Sequence, residues 1–192
     1  MTEFQSPDWN KPLDLAEHLA AIPKESTVKG VFFRSAIEQC REATGDAPGR
    51  DHYNALSNYP TLELAEVLAQ CAERIYPSLS LRKGLRHLGA NVFPRLRKTT
   101  VGNLIFGTVG RELTSALKMT SRAYKAFSNN VSAELTTTDS NLVVLELRNA
   151  WTFPDSYHVG IFEGAIKSYG KHGMITLHEH TPCDLDLQIY FA

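Results

Sequence analysis

Residues 131–147, VSAELTTTDSNLVVLEL, mark the point at which the hydrophobic period of the chain changes from about 3.6 residues to 2. Apolar and polar residues alternate from Val131 to Thr136 and again from Val143 to Leu147. The turn-forming segment TDSN separates the two runs. Alternation on both sides of a short turn predicts a β-hairpin here.

A second pair of alternating segments follows, MITLHEH at 174–180 and LDLQIYFA at 185–192. Between the two pairs lies a stretch with apolar residues at helical spacing, for which Asp155 or Ser156 is a candidate cap. The resulting order, ββαββ, predicts an antiparallel sheet with one face available for helices to cover.

The chain before this sheet has the period of helices. Apolar stripes predict successive helices, with a first start near Asn10, a cap at Thr61, an opening at Ser80 and a kink or an end at Pro94. We therefore expect one α+β domain over residues 1–192, with a helical part at about 10–128 packed on a sheet part at about 131–192.

The 192 residues are 43% hydrophobic and 21% charged, which is ordinary for a globular protein. A polar N-terminus and the lack of a long apolar run predict a cytoplasmic protein. Three cysteines are too few and too scattered for a disulfide framework, and we expect Cys40 and Cys71 to be buried on helical faces.

The formal charge of −1 hides a strong segregation. Residues 80–127 hold ten basic side chains and one acidic side chain, and the remainder of the chain has a net charge of −10. Such a segment can present a positive patch to an acidic protein partner, or it can be a solvated surface; nucleic acid is not favoured, because no helix-turn-helix or RNA-binding motif accompanies it. The patch has six candidate residues: Arg82, Lys83, Arg86, Arg95, Arg97 and Lys98.

Familiar catalytic and phosphate-binding motifs are absent from the sequence, so we expect a protein that is not an enzyme, with no resident cofactor or metal. Two weaker alternatives stay open. His178, His180 and Cys183 are possible zinc ligands, although polar pairing with Asp186 on the neighbouring strand explains the histidines equally well. His87 is the candidate for a haem ligand, because it lies in a predicted helix beside the apolar Leu85 and Leu88.

Gly160 and Gly164 lie four residues apart in the helix between the hairpins. Such spacing indicates either close packing of this helix on the sheet, or space for a ligand beside the backbone.

Two motifs carry a family resemblance: VKGVFFR at 28–34 and YPTLELAEVLAQCAERIYPSLSLRKGLRHLG at 59–89. With them, and with the C-terminal order of hairpin, helix and hairpin, the chain resembles a family of uncharacterised single-domain proteins that occur in many paralogous copies in myxobacteria. That family implies no activity.

The segment GIFEGAIKSYGKHGMITLHEH, 160–180, is similar to the end of the four-vinyl-reductase domain and to its haem-nitric-oxide-binding and TRAPP relatives. The resemblance implies helices on an antiparallel sheet, a homodimer, and a small apolar molecule held between helices and sheet. Two departures from these relatives argue against a bound metal or haem. Only Cys183 stands where the four-vinyl-reductase domain has paired cysteines, and the haem-binding Tyr-x-Ser-x-Arg run is missing.

The sequence therefore favours a non-enzymatic regulatory or sensory domain that binds a small apolar ligand between helices and sheet. Its candidate pocket walls are large apolar side chains near the junction of the two parts: Leu104, Phe106, Tyr124, Phe127, Trp151 and Phe162. The alternative is a homodimeric protein-protein interaction module that uses the basic helices of residues 80–127.

Overall fold

The computed structural model of the chain describes residues 3–106 and 112–192. Helices fill most of the part before the sheet, and two short antiparallel strands, β1 (Thr27–Lys29) and β2 (Asn58–Pro60), pair within it. The helices are α1 (Leu15–Ala21), α2 (Val31–Thr44), α3 (Thr61–Ile75), α4 (Leu81–Ala90), α5 (Val92–Leu96), α6 (Thr100–Phe106), α7 (Leu113–Lys118) and α8 (Thr120–Phe127).

The second part is a four-stranded antiparallel sheet in the spatial order β3-β4-β6-β5. Its strands are β3 (Ser132–Thr138), β4 (Leu142–Arg148), β5 (Gly173–Thr181) and β6 (Asp184–Phe191). A π-helical turn, Pro154–His158, leads into α9 (Val159–Ser168) between the two hairpins. The α+β class and the ββαββ order are confirmed.

One face of this sheet is buried against α9. The strands alternate as the sequence predicts, so that Leu145 and Leu187 pair across β4 and β6 and both are fully buried. Phe162, Ala165 and Ile166 of α9 pack in the same hydrophobic cluster. This burial stabilises the sheet, because each large apolar side chain removed from water contributes about 1.5–3 kcal/mol.

The chain enters its first helices differently from the sequence interpretation. The N-cap of α1 is Asp14, whose Oδ1 accepts a hydrogen bond from the backbone N of Glu17 at 3.0 Å, and not Asn10. At α3 the cap position is Pro60, and the Thr61 hydroxyl pairs with the Ser26 hydroxyl at 2.8 Å. The short strands β1 and β2, which precede α2 and α3, pair with each other through the backbone. Strands of three residues are too short to show an alternating pattern in the sequence.

The start of the helix between the hairpins also differs. Phe153 has a left-handed backbone, with φ at 57°, and the helical conformation begins at Pro154, which precedes both predicted caps. Asp155 forms an ion pair with Arg82 and leaves the helix end without a side-chain cap.

Gly160 and Gly164 pack against α4 and not against the sheet. A Cβ atom at Gly160 would lie 2.1 Å from the Arg86 carbonyl oxygen, and one at Gly164 would lie 2.1 Å from the Ala90 carbonyl oxygen. Gly89 of α4 meets the Tyr157 carbonyl oxygen in the same way, at 2.0 Å. We call these three residues the glycine seam. Close packing of this helix on the sheet is confirmed, but it is made by the larger apolar residues of α9, whereas its glycines approach α4 and leave no space for a ligand.

In the part of the chain that the structure describes, no helix combines the length and the apolar character needed to cross a bilayer.

Candidate functional site

An apolar cavity of about 90 Å³ lies among the helices. Its walls come from α2, α3 and each helix from α5 to α9, with Tyr157 and His158 of the π-helical turn. None of the lining residues that the structure describes belongs to the four-stranded sheet, so the cavity lies among the helices and not between helices and sheet as the sequence predicts. Phe162 and Ala165 of α9 line the cavity and also pack in the sheet's hydrophobic cluster, so α9 stands between the two.

His158 supplies the main polar group in this wall. It is 4% exposed, its Nδ1 lies 2.6 Å from the Tyr124 hydroxyl, and its Nε2 lies 2.8 Å from the Thr152 hydroxyl. A neutral imidazole has one donor and one acceptor nitrogen, so one hydroxyl donates to the ring and the other accepts from it. Both ring nitrogens are therefore satisfied without a charge.

Burial keeps this group of side chains neutral. It lowers the pKa of His158 to about 3, and it raises the pKa of the Tyr124 and Tyr157 hydroxyls. The nearby Tyr157 hydroxyl has no hydrogen-bond partner among the described residues. At neutral pH the cavity therefore holds no formal charge of its own and suits an uncharged, largely apolar occupant.

The predicted pocket residues divide into three groups. Phe106, Tyr124, Phe127 and Phe162 all line the cavity. Trp151 does not; it lines a separate cleft of about 680 Å³ between α1 and the β5–β6 turn. The side chain of Leu104 lies outside the part of the chain that the structure describes.

The larger cleft is built differently from the cavity. Its charged side chains are largely paired, as Lys11 with Glu179 and Arg82 with Asp155. The ring nitrogen Nε2 of His18 donates to the Trp151 carbonyl oxygen at 2.8 Å. Burial, as the largest cause, lowers the pKa of His18. The walls of this cleft therefore carry more polar groups than those of the cavity.

Sequence reasoning missed His158 and Thr152. The segment Pro154–His158 matches no motif, and the partners of the imidazole lie 34 and 6 residues away. The sequence offers one signal for this site, a histidine directly before the apolar stripe of α9. In a single sequence, that position does not distinguish a buried histidine from an exposed one.

Acidic side chains from the rest of the chain neutralise much of the predicted basic patch. Arg82 is 8% exposed and pairs with Asp155, and Arg86 makes a bidentate pair with Glu163 at 2.7 and 2.8 Å. Arg95 makes a bidentate pair with Glu42.

The other three patch residues differ. Arg97 lies over the Tyr169 ring, 4.9 Å from its centroid. Lys83 and Lys98 make no ion pair within the described residues. The charge of the patch that acidic side chains leave unpaired thus lies at the half-buried Lys83 and the exposed Arg97 and Lys98.

The two histidines of β5 take part in polar pairing. His180 Nε2 lies 3.0 Å from Asp186 Oδ2 on β6, and His178 Nδ1 donates to the Glu3 carbonyl oxygen at 3.2 Å. Cys183 is buried and its Sγ lies 3.4 Å from the Thr181 hydroxyl. Among residues 3–106 and 112–192, no group of three or more ligand side chains is arranged to hold a metal ion.

Cys40 and Cys71 are fully buried and carry free thiols, as their helical positions predict. Burial, followed by the neighbouring Cys40 thiol, raises the pKa of Cys71. The protonated thiol of Cys71 is a weak nucleophile, and burial makes both cysteines core side chains.

Solved structures of H-NOX proteins, the haem-nitric-oxide-binding group, share this fold. An H-NOX protein from Shewanella oneidensis in the Fe(II)NO state has a TM-score of 0.69 at 14% identity, over 85% of this chain and 99% of that one. An oxygen-binding H-NOX domain related to soluble guanylate cyclases gives 0.65 at 15% identity, over 85% and 94%. Unliganded Fe(II) H-NOX from K. algicida gives 0.63 at 10%, over 85% and 96%. The expected haem-nitric-oxide-binding fold is confirmed.

The residues at the cavity do not fit the haem that this fold implies. Ligands of drug size occupy pockets of about 300–1,000 Å³, whereas this cavity measures about 90 Å³. A haem iron needs an available side-chain ligand such as histidine, and both nitrogens of His158 are engaged. His87, the candidate from the sequence, is exposed beside Tyr76 on the surface.

Comparison with the curated proteins gives no match. A family model does match, over residues 21–189, which is most of the chain and includes both motifs that carried the resemblance. The chain therefore belongs to the family described as protein of unknown function (DUF2378).

Proposed function

We propose that this chain is a non-enzymatic regulatory or sensory domain that binds a small, largely apolar ligand in the cavity bounded by α5, α8 and α9. The observation that carries the proposal is the cavity itself: an apolar space among mostly buried side chains, with a neutral, fully hydrogen-bonded imidazole in its wall. Protein interiors are otherwise close-packed, and a retained void lowers stability.

The size of the cavity limits its occupant. An engineered apolar cavity of about 150 Å³ binds benzene, and the cavity here is smaller, at about 90 Å³. The enclosed part of a ligand is therefore a short alkyl group or a molecule of similar volume. The Tyr124 and Thr152 hydroxyls are already engaged by His158, which leaves the Tyr157 hydroxyl without a partner in this wall. Burial of apolar surface therefore supplies most of the affinity.

Two further observations support a sensory role without catalysis. The similar solved structures include proteins described with nitric oxide and with oxygen bound, so the fold is one in which small ligands are held. At the cavity, His158 has a pKa of about 3 and both of its nitrogens are hydrogen-bonded, so it is a poor base.

The alternative, a homodimeric interaction module built on the basic helices, has less support. It requires an exposed patch, and three of its six arginines and lysines are engaged by acidic side chains of the same chain. Homodimerisation stays a prediction from the resemblance, and light scattering of the purified protein tests it.

Binding is tested by native mass spectrometry of the protein isolated from its own host, together with NMR titration of the purified protein with 1-hexanol. We expect a bound small molecule in the first measurement and saturable shifts of α8 and α9 amides in the second. Ala123→Met fills the cavity and should abolish the shifts, whereas Ala126→Met, at an exposed position of the same helix, should keep them. A bare polypeptide mass together with no saturable shift would overturn the proposal.

A further inference from the structure

A second, polar cleft of about 400 Å³ adjoins the cavity. It lies between α2, α5 and the segment that enters α6, and its polar lining includes Arg34, Ser35, Lys98, Thr99 and Thr100. Neither the proposed function nor the fold accounts for this cleft.

Positive charge is in excess at this cleft. Its charged lining residues are Arg34, Glu38, Arg95 and Lys98. Arg95 is held by Glu42, and Glu38 lies 3.8 Å from Arg34 and 3.7 Å from Arg95. Lys98 is exposed and has no acidic partner within the described residues. The cleft therefore favours an anion.

Ser35 adds a buried donor without a partner. This residue is 7% exposed, it lines the cleft, and its hydroxyl makes no hydrogen bond within the described part of the chain. A buried hydroxyl without a partner is costly unless a ligand or water satisfies it. The Thr99 hydroxyl adds no donor, because it already donates to the Leu96 carbonyl oxygen at 2.8 Å. Ser35 and the exposed Thr100 therefore supply the hydroxyl donors that an anionic oxygen requires.

The cleft and the apolar cavity share a wall. Phe32, Val92 and Leu96 line both spaces. Val92 and Leu96 are buried, whereas Phe32 is partly exposed and its ring packs edge-on against Phe127 of the cavity, with 5.2 Å between the centroids. Rotation of the Phe32 side chain would join a cationic entrance to an apolar interior.

We propose that the ligand of this domain is an anionic amphiphile: a short alkyl chain that enters past Phe32 into the cavity, with a carboxylate or phosphate head held in the cleft by Lys98, Arg34 and Ser35. This inference rests on the proposed function and adds the chemical class of the ligand. The two spaces divide the ligand between them, because the cavity is apolar and the cleft supplies cations and hydroxyl donors.

The test compares ligands that share one alkyl chain. Hexanoate, hexyl phosphate and 1-hexanol are titrated into the full chain at low ionic strength and followed by NMR, with acetate as the head group alone. We expect hexanoate or hexyl phosphate to bind at least tenfold more tightly than 1-hexanol and far more tightly than acetate. The order of the two anions identifies the preferred head group.

Variants distinguish the contribution of the cleft residues to binding from the effect of the net charge of the protein. The double variant Arg34→Gln, Lys98→Gln should reduce the affinity for the anion to that for 1-hexanol, and Ser35→Ala should weaken it several-fold. The control Arg122→Gln, Lys125→Gln removes two exposed charges from α8, outside the cleft lining, and should leave binding unchanged.

The outcomes also separate this inference from the proposed function. Equal binding of 1-hexanol and the anions, unaffected by the cleft variant, would overturn the amphiphile and leave the apolar site. An absence of binding by every probe would overturn both.

Discussion

The Tyr124 hydroxyl lies 2.6 Å from Nδ1 of His158, and this contact joins α8 to the π-helical turn across 34 residues of sequence. The two rings are also stacked, with 5.6 Å between their centroids. The Thr152 hydroxyl pairs with the other ring nitrogen, Nε2. His158 can therefore stay neutral in an otherwise apolar wall.

Tyr124→Phe should lower the free energy of unfolding by about 1–3 kcal/mol, because it leaves a buried nitrogen of His158 without its partner. Urea denaturation measures the change. Tyr190→Phe, at an exposed position of the sheet, is the matched control and should have almost no effect. Equal losses in the two variants would contradict the role of the pair.

Stability should fall as the pH drops below about 6.5. The unfolded chain then binds a proton at residue 158, and the folded chain does not until about pH 3. Each pH unit in that window costs up to about 1.4 kcal/mol for this one group. The lowered pKa of His18 acts in the same direction.

Urea denaturation at pH 7.5, 6 and 5 measures this slope. His158→Gln should flatten it, and His172→Gln, at an exposed position, should leave it unchanged. A slope that His158→Gln does not alter would assign the pH dependence to other groups.

Gly164→Ala should destabilise the protein far more than Gly45→Ala. The added methyl group would overlap the Ala90 carbonyl oxygen, so α4 and α9 would have to separate. At Gly45, with φ at 82° and open space around it, the cost is that of a left-handed backbone, about 1 kcal/mol. Thermal unfolding of the two variants compares them, and similar melting temperatures would exclude tight packing at the glycine seam.

Asp155→Asn should cost about 3 kcal/mol, because it removes the paired carboxylate of the buried Arg82 guanidinium and leaves only the more distant Glu179 and Asp8 to compensate the charge. The control is Asp46→Asn, which breaks an exposed pair with Arg74 and should change little. Denaturant unfolding of both variants measures the difference. Equal, small losses would show that Arg82 reaches water or another acid.

The sheet was predictable because its signal is local. Alternation in LDLQIYFA places Leu185, Leu187 and Ile189 on one face, whatever lies beyond it. The segregation of charge was visible in the sequence too. Whether the basic segment exposes that charge depends on Glu42, Asp155 and Glu163, which contact the arginines only after folding.

The candidate site was predictable only in part. Large apolar residues near the junction were identified, and four of them line the cavity. The polar part was missed because His158, Tyr124 and Thr152 come from three segments that no motif links. The partner of Gly160 and Gly164 was misjudged because spacing reveals a close approach but not the element that approaches.

The glycine seam limits where α9 can move. The backbones of α4 and α9 meet at Gly89, Gly160 and Gly164, and the Arg86–Glu163 pair links the same two helices, so α9 has no free space on its α4 side. On its other side, Phe162 and Ala165 line the cavity and also pack in the hydrophobic cluster of the sheet. Under the proposed function, a ligand that widens the cavity would therefore require the inner face of the sheet to repack.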